Sequence, residues 1–542
     1  MCGIFGFIGK NKINLYNFFM KIKHRGPDQS IYIDNNEYKI GFHRLAIHDM
    51  TINGMQPFMH SSENQTIYIY CNGEIYNYIK LKEEFKDYNF KSNSDCEILL
   101  PLYLKYGINF VDKLDGEFAI AIFDIQKNNK NCYIIRDRLG VRPLFYTIFN
   151  NNFGFCSELK GLTFGENYID PLEPSTIMNI NFTNINKLNI KRKKYYNIEM
   201  ITPNKTKLTF NDFIDTNELK DIKKNINEIL TKSVELRLSA DVEIGCLLSG
   251  GLDSSLIASI ASKLLKKTGK KLKTFCIGMK NSPDVKCALQ VAEFINSVHT
   301  TVEIPEDEFL KTYEYITKIT ETYDITTNRA TTAQYLISKY IKENTNIKVI
   351  LVGDLSDEIC SGYLYFHKAP NENVSHNENI RLLKDNYLFD LLRTDRGIAY
   401  NGLEARVPFA SHHFINYYLS IYPILRYAPN IIEKWLLRSS FEGYLPNEIL
   451  YRKKEAFSDG ISSNENSWYS ILQNKINTVI TDEYFENHKN DYNIEIPSKE
   501  GLYIRIQFNK FYLNQDDVLK YYWMPKWIEC NGNPSARVLS IY

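Results

Sequence analysis

A cysteine at position 2 and a Gly/Ser-rich loop near position 250 are the residues whose types and spacing point most directly to chemistry. Cys2 follows Met1 and opens the run Cys-Gly-Ile-Phe-Gly. Removal of Met1 would leave the thiol beside its own α-amine, and an α-amine has a pKa of about 8. Such an amine can take the thiol proton, so that one residue serves as nucleophile and base. An incidental cysteine is the alternative, and Cys2 alone does not decide between the two.

The second feature is the run Ser-Gly-Gly-Leu-Asp-Ser-Ser over residues 249–255. It is not a P-loop, because Gly251 stands where that motif needs lysine. It resembles the loop of ATP pyrophosphatases, between a strand predicted over 242–248 and a helix predicted over 254–265. The resemblance implies that backbone N–H groups and serine hydroxyls of this loop bind pyrophosphate. Asp253 would repel phosphate and is therefore interpreted as a Mg²⁺ ligand. A Gly-rich turn without ligand is the alternative.

Two domains must position these features, because 542 residues exceed what one hydrophobic core usually holds. Many short β-like runs precede residue 200 and predict stacked antiparallel sheets with flanking helices. Strands and helices alternate after residue 240 and predict a doubly wound parallel sheet, followed by a helical C-terminal part beyond about 380. We expect an α/β and α+β protein with domains at 1–205 and 226–542. Residues 206–225 are polar and aperiodic and are predicted to be a linker.

Composition excludes several classes of partner. The net charge of +1 gives no reason to expect nucleic acid or an anionic membrane. No stretch reaches the roughly 18 apolar residues of a membrane helix, and no signal peptide is evident. The ten cysteines are dispersed without a C-x-x-C pair, which argues against a zinc site and a disulfide framework. We expect a cytoplasmic protein with small-molecule partners and a homodimer as its candidate assembly.

Four runs in the first hundred residues carry a family resemblance. They are His-Arg-Gly-Pro-Asp at 24–28, Phe-His-Arg-Leu-Ala-Ile at 42–47, Asn-Gly-Glu-Ile-Tyr-Asn at 72–77 and Ser-Asp-Cys-Glu at 94–97. With Cys2, they make this region resemble class II glutamine amidotransferase domains. That resemblance implies the αββα sandwich of N-terminal-nucleophile hydrolases and hydrolysis of glutamine at Cys2.

The resemblance assigns roles that suit the chemistry of each side chain. Arg44 offers a planar fork for the α-carboxylate of glutamine, and Asp95 matches its α-ammonium. The Asn72 amide and the Gly73 N–H would stabilise the tetrahedral oxyanion, and Glu74 helps to hold the amino group. Arg25 and Asp28 are assigned to loop architecture. The glutamine-binding residues implied are Arg44, Leu45, Ala46, Ile47, His48, Asn72, Gly73, Glu74 and Asp95.

Five further runs, at 321–327, 362–370, 403–409, 452–460 and 522–527, are similar to glutamine-hydrolysing asparagine synthetases. The implied reaction forms β-aspartyl-AMP from ATP and aspartate, and ammonia from Cys2 reaches it through an internal tunnel. Lys454 would stabilise phosphate charge, and Asp357 would join Asp253 on Mg²⁺. Asp390 and Arg393 are weaker candidates for the aspartate pocket, a helix surface pair being the alternative. The ATP-binding residues implied are Leu248, Ser249, Gly250, Gly251, Asp253, Ser254, Ser255, Ile277, Val352 and Gly353.

One loop departs from this family. Where the family has Ser-Gly-Glu-Gly-Ser-Asp-Glu, this chain has Val-Gly-Asp-Leu-Ser-Asp-Glu at 352–358. The catalytic carboxylate, Asp354, is shorter by one carbon–carbon bond, roughly 1.5 Å. Val352 lacks a hydroxyl, and Leu355 replaces glycine, which would cost about 1–2 kcal/mol if the backbone there is left-handed. Residues 409–411, Phe-Ala-Ser, also lack the carboxylate of Phe-Leu-Asp. We predict that Asp354→Glu with Leu355→Gly raises synthesis.

Two interpretations of the altered loop follow, and two other functions compete with them. In the first interpretation, nearby residues compensate for the substitutions and the protein makes asparagine slowly. In the second, the substitutions impair the synthetase site, and the protein is a glutaminase or a nucleotide-binding family member. A catalytically silent protein is disfavoured because Cys2, Arg44, Asn72 and Asp95 are all present. A synthetase acting on a different acid is disfavoured by the His-Lys-Ala-Pro run at 367–370. The sequence therefore favours asparagine synthesis with glutamine as nitrogen donor.

Overall fold

The computed structural model describes residues 1–10, 14–165, 167–427, 432–454, 460–463, 466–530 and 532–534. Every candidate site residue lies within these ranges. Part of the run at 452–460, namely residues 455–459, lies outside them. None of the helices in the described part of the chain is long and apolar enough to cross a membrane.

The N-terminal part contains two stacked six-stranded sheets. Their orders are β10-β8-β9-β1-β3-β2 and β12-β11-β7-β6-β5-β4, with antiparallel pairing throughout. The strands are β1 Gly3–Ile8, β2 Gln29–Asp34, β3 Tyr38–Arg44, β4 Phe58–Ser61, β5 Gln65–Ile75, β6 Gly116–Gln126, β7 Asn129–Arg136, β8 Phe145–Phe149, β9 Asn152–Cys156, β10 Asp170–Pro171, β11 Thr176–Asn181 and β12 Asn189–Lys194. The helices are α1 Tyr16–Met20, α2 Tyr78–Lys82 and α3 Leu99–Tyr106. The prediction of stacked antiparallel sheets with flanking helices is confirmed.

The two sheets pack through alternating apolar side chains. Ile4, Phe42, Ala121 and Phe155 belong to one buried cluster that joins their inner faces. A second cluster joins the opposite face of the second sheet to α3. This layering brings β1 of the first sheet into contact with β5 of the second sheet. Cys2 immediately precedes β1, and Asn72 lies on β5.

The segment predicted as a linker is partly helical. It contains α4 Phe210–Phe213 and the start of α5 Asn217–Arg237, whose N-cap Thr216 accepts a hydrogen bond from the Leu219 N–H. The buried positions of α5 include Leu219, Ile222, Ile226 and Leu230, a spacing of three to four residues. The expectation of an aperiodic segment was wrong from residue 217, because this spacing becomes visible only beyond residue 225. The domain boundaries at 205 and 226 stay a prediction.

The C-terminal part contains a five-stranded parallel sheet with the order β15-β14-β13-β16-β17. Its strands are β13 Ile244–Leu247, β14 Lys273–Gly278, β15 Val298–Glu303, β16 Val349–Leu351 and β17 Glu404–Arg406. The strand order reverses between β13 and β16, and such a reversal opens a crevice at the carboxyl ends of the strands. The predicted doubly wound sheet is confirmed.

Helices cover this sheet and predominate among the described residues beyond about 380, as predicted. In the described part they are α6 Leu252–Lys266, α7 Pro283–Phe294, α8 Glu306–Tyr313, α9 Ile316–Thr320, α10 Ile325–Asn344, α11 Ser356–Ile359, α12 Glu372–Asp385, α13 Asp390–Ala399, α14 His412–Ser420, α15 Pro423–Arg426, α16 Trp435–Ser439, α17 Asn447–Leu450, α18 Trp468–Asn477, α19 Asp482–His488 and α20 Lys499–Asn509. α7 is capped by Ser282, whose side chain accepts the Val285 N–H, and Pro283 opens the helix.

Candidate active sites

The Cys2 thiol lies at the start of β1, against the loop that follows β3. The Leu45 N–H points at its sulfur, with the nitrogen 3.4 Å from Sγ. Burial raises the pKa of the Cys2 thiol to about 11, against the lowering effect of the neighbouring terminal ammonium. The same burial lowers the pKa of the terminal amine of Met1 to about 5. These shifts belong to the chain that retains Met1, whereas the proposed base is the α-amine that removal of Met1 would expose on Cys2.

Asn72 and Gly73 lie near the end of β5. The Asn72 side chain is fully buried, and neither its Nδ2 nor its Oδ1 has a hydrogen-bond partner in the described part of the chain. Gly73 has φ 154°, and a Cβ there would lie 2.0 Å from the Glu117 carbonyl oxygen, so only glycine fits. A buried amide without a partner needs an explanation, and a bound oxyanion would supply one.

Arg44 lies at the end of β3 and organises the loop after it. Its Nη1 donates to the Gln29 side chain at 2.8 Å and to the Thr51 carbonyl at 2.7 Å. Its Nη2 donates to the carbonyls of His48 and Asp49. Both ends of the guanidinium fork are therefore engaged within the protein, and a substrate carboxylate would have to replace some of these acceptors.

His48, Glu74 and Asp95 form a buried cluster beside this loop. His48 Nε2 lies 3.2 Å from Glu74 Oε2, and the Arg406 guanidinium lies 3.1 Å from the same oxygen. Burial lowers the pKa of His48, but the Glu74 carboxylate outweighs it and raises this pKa to about 9. Asp95 Oδ2 accepts the Ile75 N–H at 2.7 Å. The two predicted carboxylates thus lie together, and Glu74 already has two cationic neighbours.

A second site lies at the carboxyl ends of β13, β14 and β16, in a cavity of about 230 Å³. Residues from all three strand ends line it, including Leu248, Ile277 and Val352. The loop after β13 bends at Gly250, which has φ 76°. Gly353 allows the β16 end to approach α6, since a Cβ there would lie 2.6 Å from the Ser254 nitrogen. The cavity therefore occupies the crevice expected at the reversal of strand order.

The predicted nucleotide loop is preorganised by its own hydroxyls. Ser254 Oγ accepts the Ser249 N–H at 3.1 Å and lies 2.9 Å from Ser249 Oγ. Of the predicted ATP-binding set, Gly250 and Ser255 do not line the cavity, and the others do. Ser255 is fully buried, while the Gly250 carbonyl accepts a hydrogen bond from Arg452 at 3.1 Å. These two residues shape the loop and do not face the cavity.

Two lysines join the two predicted metal ligands. Lys434 Nζ lies 2.7 Å from both carboxylate oxygens of Asp253 and 2.5 Å from Asp357 Oδ1. Lys454 Nζ lies 2.6 Å from Asp357 Oδ2. Burial opposes ionisation of Asp357, but these two ammonium groups hold the pKa of its carboxyl well below the usual value. Because both carboxylates converge on one cationic atom, their hard oxygen atoms fit the Mg²⁺ expected there.

The substituted loop carries Asp354 and Leu355 into the same cavity. Asp354 pairs with Arg393, whose guanidinium also lies 3.5 Å from Asp390. Burial raises the pKa of Asp354, and the Arg393 charge opposes this. Leu355 has φ 74°, so its backbone is left-handed as the sequence argument supposed. Asp390 and Arg393 therefore form a pair that lines the cavity, and their role in binding aspartate stays a prediction.

Sequence reasoning missed several charged and polar residues of this cavity. They are Lys434, Glu358, Tyr363 and Arg452, all of which line it. Tyr363 donates a hydrogen bond to Glu358 at 2.9 Å, and burial raises the pKa of Glu358 well above its usual value. Tyr363 and Arg452 lie inside runs that carried the family resemblance, and Glu358 ends the loop that was compared with the family, so a usable signal existed for all three. Lys434 precedes α16 without a motif, and no local pattern marks it.

The parallel sheet lies between the two sites. Ile244, at the start of β13, packs in an apolar cluster with Cys2, Leu45, Ile47 and Val349. Leu248, just beyond the other end of β13, lines the second cavity. Strand geometry places these ends roughly 13 Å apart. The thiol site therefore faces the amino ends of the strands whose carboxyl ends form the nucleotide cavity.

Comparison with known proteins gives consistent matches over the whole chain. Residues 1–217 match the family described as glutamine amidotransferase domain, and residues 225–386 and 375–494 match the family described as asparagine synthase. A protein of Acanthamoeba polyphaga mimivirus named probable asparagine synthetase (glutamine-hydrolyzing) is 41% identical over 560 residues, covering 100% of both chains. The Homo sapiens asparagine synthetase (glutamine-hydrolyzing) is 40% identical over 561 residues, covering 100% of this chain and 99% of its own. A solved structure described as the allosteric regulatory enzyme of purine biosynthesis covers 56% of this chain and 80% of its own at 14% identity. Its TM-score of 0.32 is too low to support an argument.

Proposed function

The chain belongs to the family of glutamine-hydrolysing asparagine synthetases, and we propose that it makes L-asparagine from L-aspartate, ATP and glutamine. The products are asparagine, glutamate, AMP and diphosphate. Glutamine is hydrolysed at Cys2, and aspartate is activated in the cavity of the parallel sheet. All ten cysteines are free thiols, which supports the further proposal of a reducing, cytoplasmic setting.

At the first site the Cys2 sulfur attacks the amide carbon of glutamine, and its proton passes to the α-amine exposed by removal of Met1. The Asn72 amide and the Gly73 N–H receive the oxyanion. The protonated α-amine returns its proton to the leaving nitrogen, ammonia departs, and water then cleaves the thioester to release glutamate. The buried, unpartnered Asn72 amide supports its assignment as oxyanion donor. Asp95 and Glu74 are proposed to hold the substrate ammonium, and Arg44 its carboxylate.

At the second site the β-carboxylate of aspartate attacks the α-phosphorus of ATP, giving β-aspartyl-AMP and diphosphate. The loop at 249–255 is proposed to cradle the diphosphate, and Lys454 to stabilise charge on the phosphate oxygens. Asp253 and Asp357 would hold Mg²⁺, which neutralises part of the triphosphate charge when bound. Asp354 and Arg393 are proposed to face the acyl carbon that ammonia attacks.

The observation that carries the proposal is the sheet that joins the two sites. The amino end of β13 shares an apolar cluster with Cys2, and its carboxyl end leads into the nucleotide loop. The two sites therefore lie at opposite ends of one short strand, which spans roughly 13 Å, and ammonia released at the thiol can be used within the same chain. A protein that only hydrolysed glutamine would have no use for a second site in this position.

The test is incubation of purified protein with ATP, MgCl2, aspartate and glutamine labelled with ¹⁵N at its amide. We expect labelled asparagine and AMP in equal amounts. A matched Cys2→Ala variant should lose labelled asparagine but still make asparagine from ammonium chloride, because only the thiol is removed. Glutamate without asparagine or AMP would show an impaired synthetase site and overturn the proposal in favour of a glutaminase.

A further inference from the structure

One buried helix, α13, contributes side chains to both sites. Its first turn carries Asp390 and Arg393, which line the nucleotide cavity. Its middle carries Asp395, which reaches the thiol site of the other domain. Residues 391–399 are all buried. Arg393 and Asp395 are separated by only about 3 Å along the helix axis.

The contact at the thiol site is a buried fork-to-fork pair. Arg25 Nη1 and Nη2 donate to the two oxygens of Asp395 at 2.7 and 2.8 Å. The Arg25 Nε donates to the Cys2 carbonyl at 2.9 Å, and Nη1 also donates to Glu158 at 2.8 Å. Because the guanidinium is planar, the carboxylate that holds one edge sets the direction of the other N–H groups. Asp395 thereby orients the peptide group that carries the nucleophile.

The contact at the nucleotide cavity is also an ion pair. Arg393 pairs with Asp354, on the loop that follows β16. Asp354 occupies the position proposed to meet the reacting acyl carbon. The first turn of α13 is therefore tied to the substrate loop, as its middle is tied to Cys2.

α13 is closely packed along the turns that follow Arg393. Ser338 of α10 donates a hydrogen bond to the Gly397 carbonyl at 2.6 Å. A Cβ at Gly397 would lie 3.0 Å from the Gln334 Cβ, so the two helices are in close contact. Arg396 pairs with Glu321 at 2.7 Å, which anchors the same turn on another side. Because tightly packed elements transmit strain, we expect a displacement of α13 at Arg393 to reach Asp395.

We propose that Asp395 is a positioning residue for Cys2, acting through Arg25, and that α13 transmits the state of the Arg393 end to the thiol. The proposal rests on glutamine hydrolysis at Cys2. It goes beyond that reaction by giving the synthetase domain a role in glutamine hydrolysis. Asp395 has this role through Arg25 and without contact to the substrate bound at the thiol.

The test measures glutamate release from glutamine alone, without ATP or aspartate. Asp395→Asn should lower kcat about 10–100-fold with little change in KM, because the nucleophile is misplaced while the substrate contacts remain. Asp395→Glu should restore part of the loss. Arg393→Gln, a change confined to the nucleotide cavity, should lower glutamate release about 2–30-fold through the helix. Asparagine synthesis from ammonium chloride should survive Asp395→Asn, which also shows that the variant is folded.

Tyr196→Phe is the matched control, because it removes another bond between the domains, from Tyr196 Oη to Asn416 at 2.8 Å, without touching α13. It should leave glutamate release unchanged. If Asp395→Asn does not fold, Arg25→Gln with Asp395→Asn removes both charges and should show the same loss of glutamate release.

Unchanged glutamate release in the Asp395 variants, or equal loss of both activities, would overturn the positioning role. Unchanged release in Arg393→Gln would overturn transmission. A wild-type protein that releases no glutamate would refute the proposed function instead, so the two failures are distinguishable.

Discussion

Leu355 gives the sharpest test of how the substituted loop is held. Its backbone lies in the left-handed region at φ 74° and ψ −10°, yet its side chain is only 1% exposed and belongs to the main core. A left-handed backbone costs a residue with a Cβ about 1–2 kcal/mol. Burial of a leucine side chain stabilises by about 1.5–3 kcal/mol. Burial therefore outweighs strain, and neither alanine nor glycine should be better than leucine here.

The two replacements differ in a way that isolates the strain. Leu355→Ala removes the packing, which costs about 2–5 kcal/mol, but keeps the Cβ and therefore the strain. Leu355→Gly removes the packing and the strain together. We expect the order of stability to be wild type, then Leu355→Gly, then Leu355→Ala, with glycine about 1 kcal/mol more stable than alanine.

The assay is equilibrium unfolding in urea, followed by tryptophan fluorescence. Leu256, fully buried inside α6, is the control position. In a helix interior the order reverses, and glycine should be about 1 kcal/mol less stable than alanine. If Leu355→Ala proves as stable as Leu355→Gly, the left-handed backbone carries no cost and the reasoning is refuted.

The balance between burial and backbone strain at Leu355 changes what we expect of variants designed to raise asparagine synthesis. The sequence suggested that Asp354→Glu with Leu355→Gly raises synthesis, but the glycine now carries a cost in stability. Asp354→Glu alone is the cleaner variant, because it lengthens the carboxylate beside Arg393 and leaves the core intact. If the shorter side chain limits the rate, this single change should raise asparagine formation above that of the double variant.

Three further outcomes are expected. Asn72→Ala should lower glutamine-dependent kcat about 10²–10³-fold while synthesis from ammonium chloride persists; similar losses in both assays would exclude an oxyanion role. Lys434→Met should lower the melting temperature without Mg²⁺ and enlarge the stabilisation by MgCl2, because Asp253 and Asp357 lose their shared ammonium but keep their oxygens. If MgCl2 stabilised this variant no more than the wild type, the assignment of Asp253 and Asp357 as Mg²⁺ ligands would be contradicted. For His48→Gln, the loss of unfolding free energy should be largest below pH 6.5 and vanish above about pH 9, because the charged form is stabilised by Glu74 in the folded state. Urea unfolding at several pH values measures this, and a loss that does not change with pH would refute it.

The fold was predictable where local patterns carry it. Apolar runs with strand or helical spacing marked β13 and α6 to within a few residues, and the alternation of strands and helices predicted the parallel sheet. The start of α5 was missed because Leu219 and Ile222 are isolated among charged residues, and only tertiary packing shows which face they share. The homodimer stays a prediction.

The candidate sites were predictable only where a motif marks them. The nucleotide loop and the Cys2 region are short runs whose chemistry can be derived from adjacent residues. Charge partners are different, because folding brings them together from distant positions. Arg25 and Asp395 are 370 residues apart, and Lys434 lies 181 residues from Asp253. The assignment of Arg25 to loop architecture was made without its partner in the other domain.

The structure also bears on the two interpretations of the altered loop. Gly353 retains the close approach to Ser254 that the nucleotide loop requires. Asp354 remains in the cavity and pairs with Arg393, so the shorter carboxylate has a partner that directs it. Leu355 adopts the left-handed backbone of the glycine it replaces, and its buried side chain offsets the strain. A loop that had lost its function would have no reason to keep all three features. The three features together favour slow but real synthesis over an impaired site.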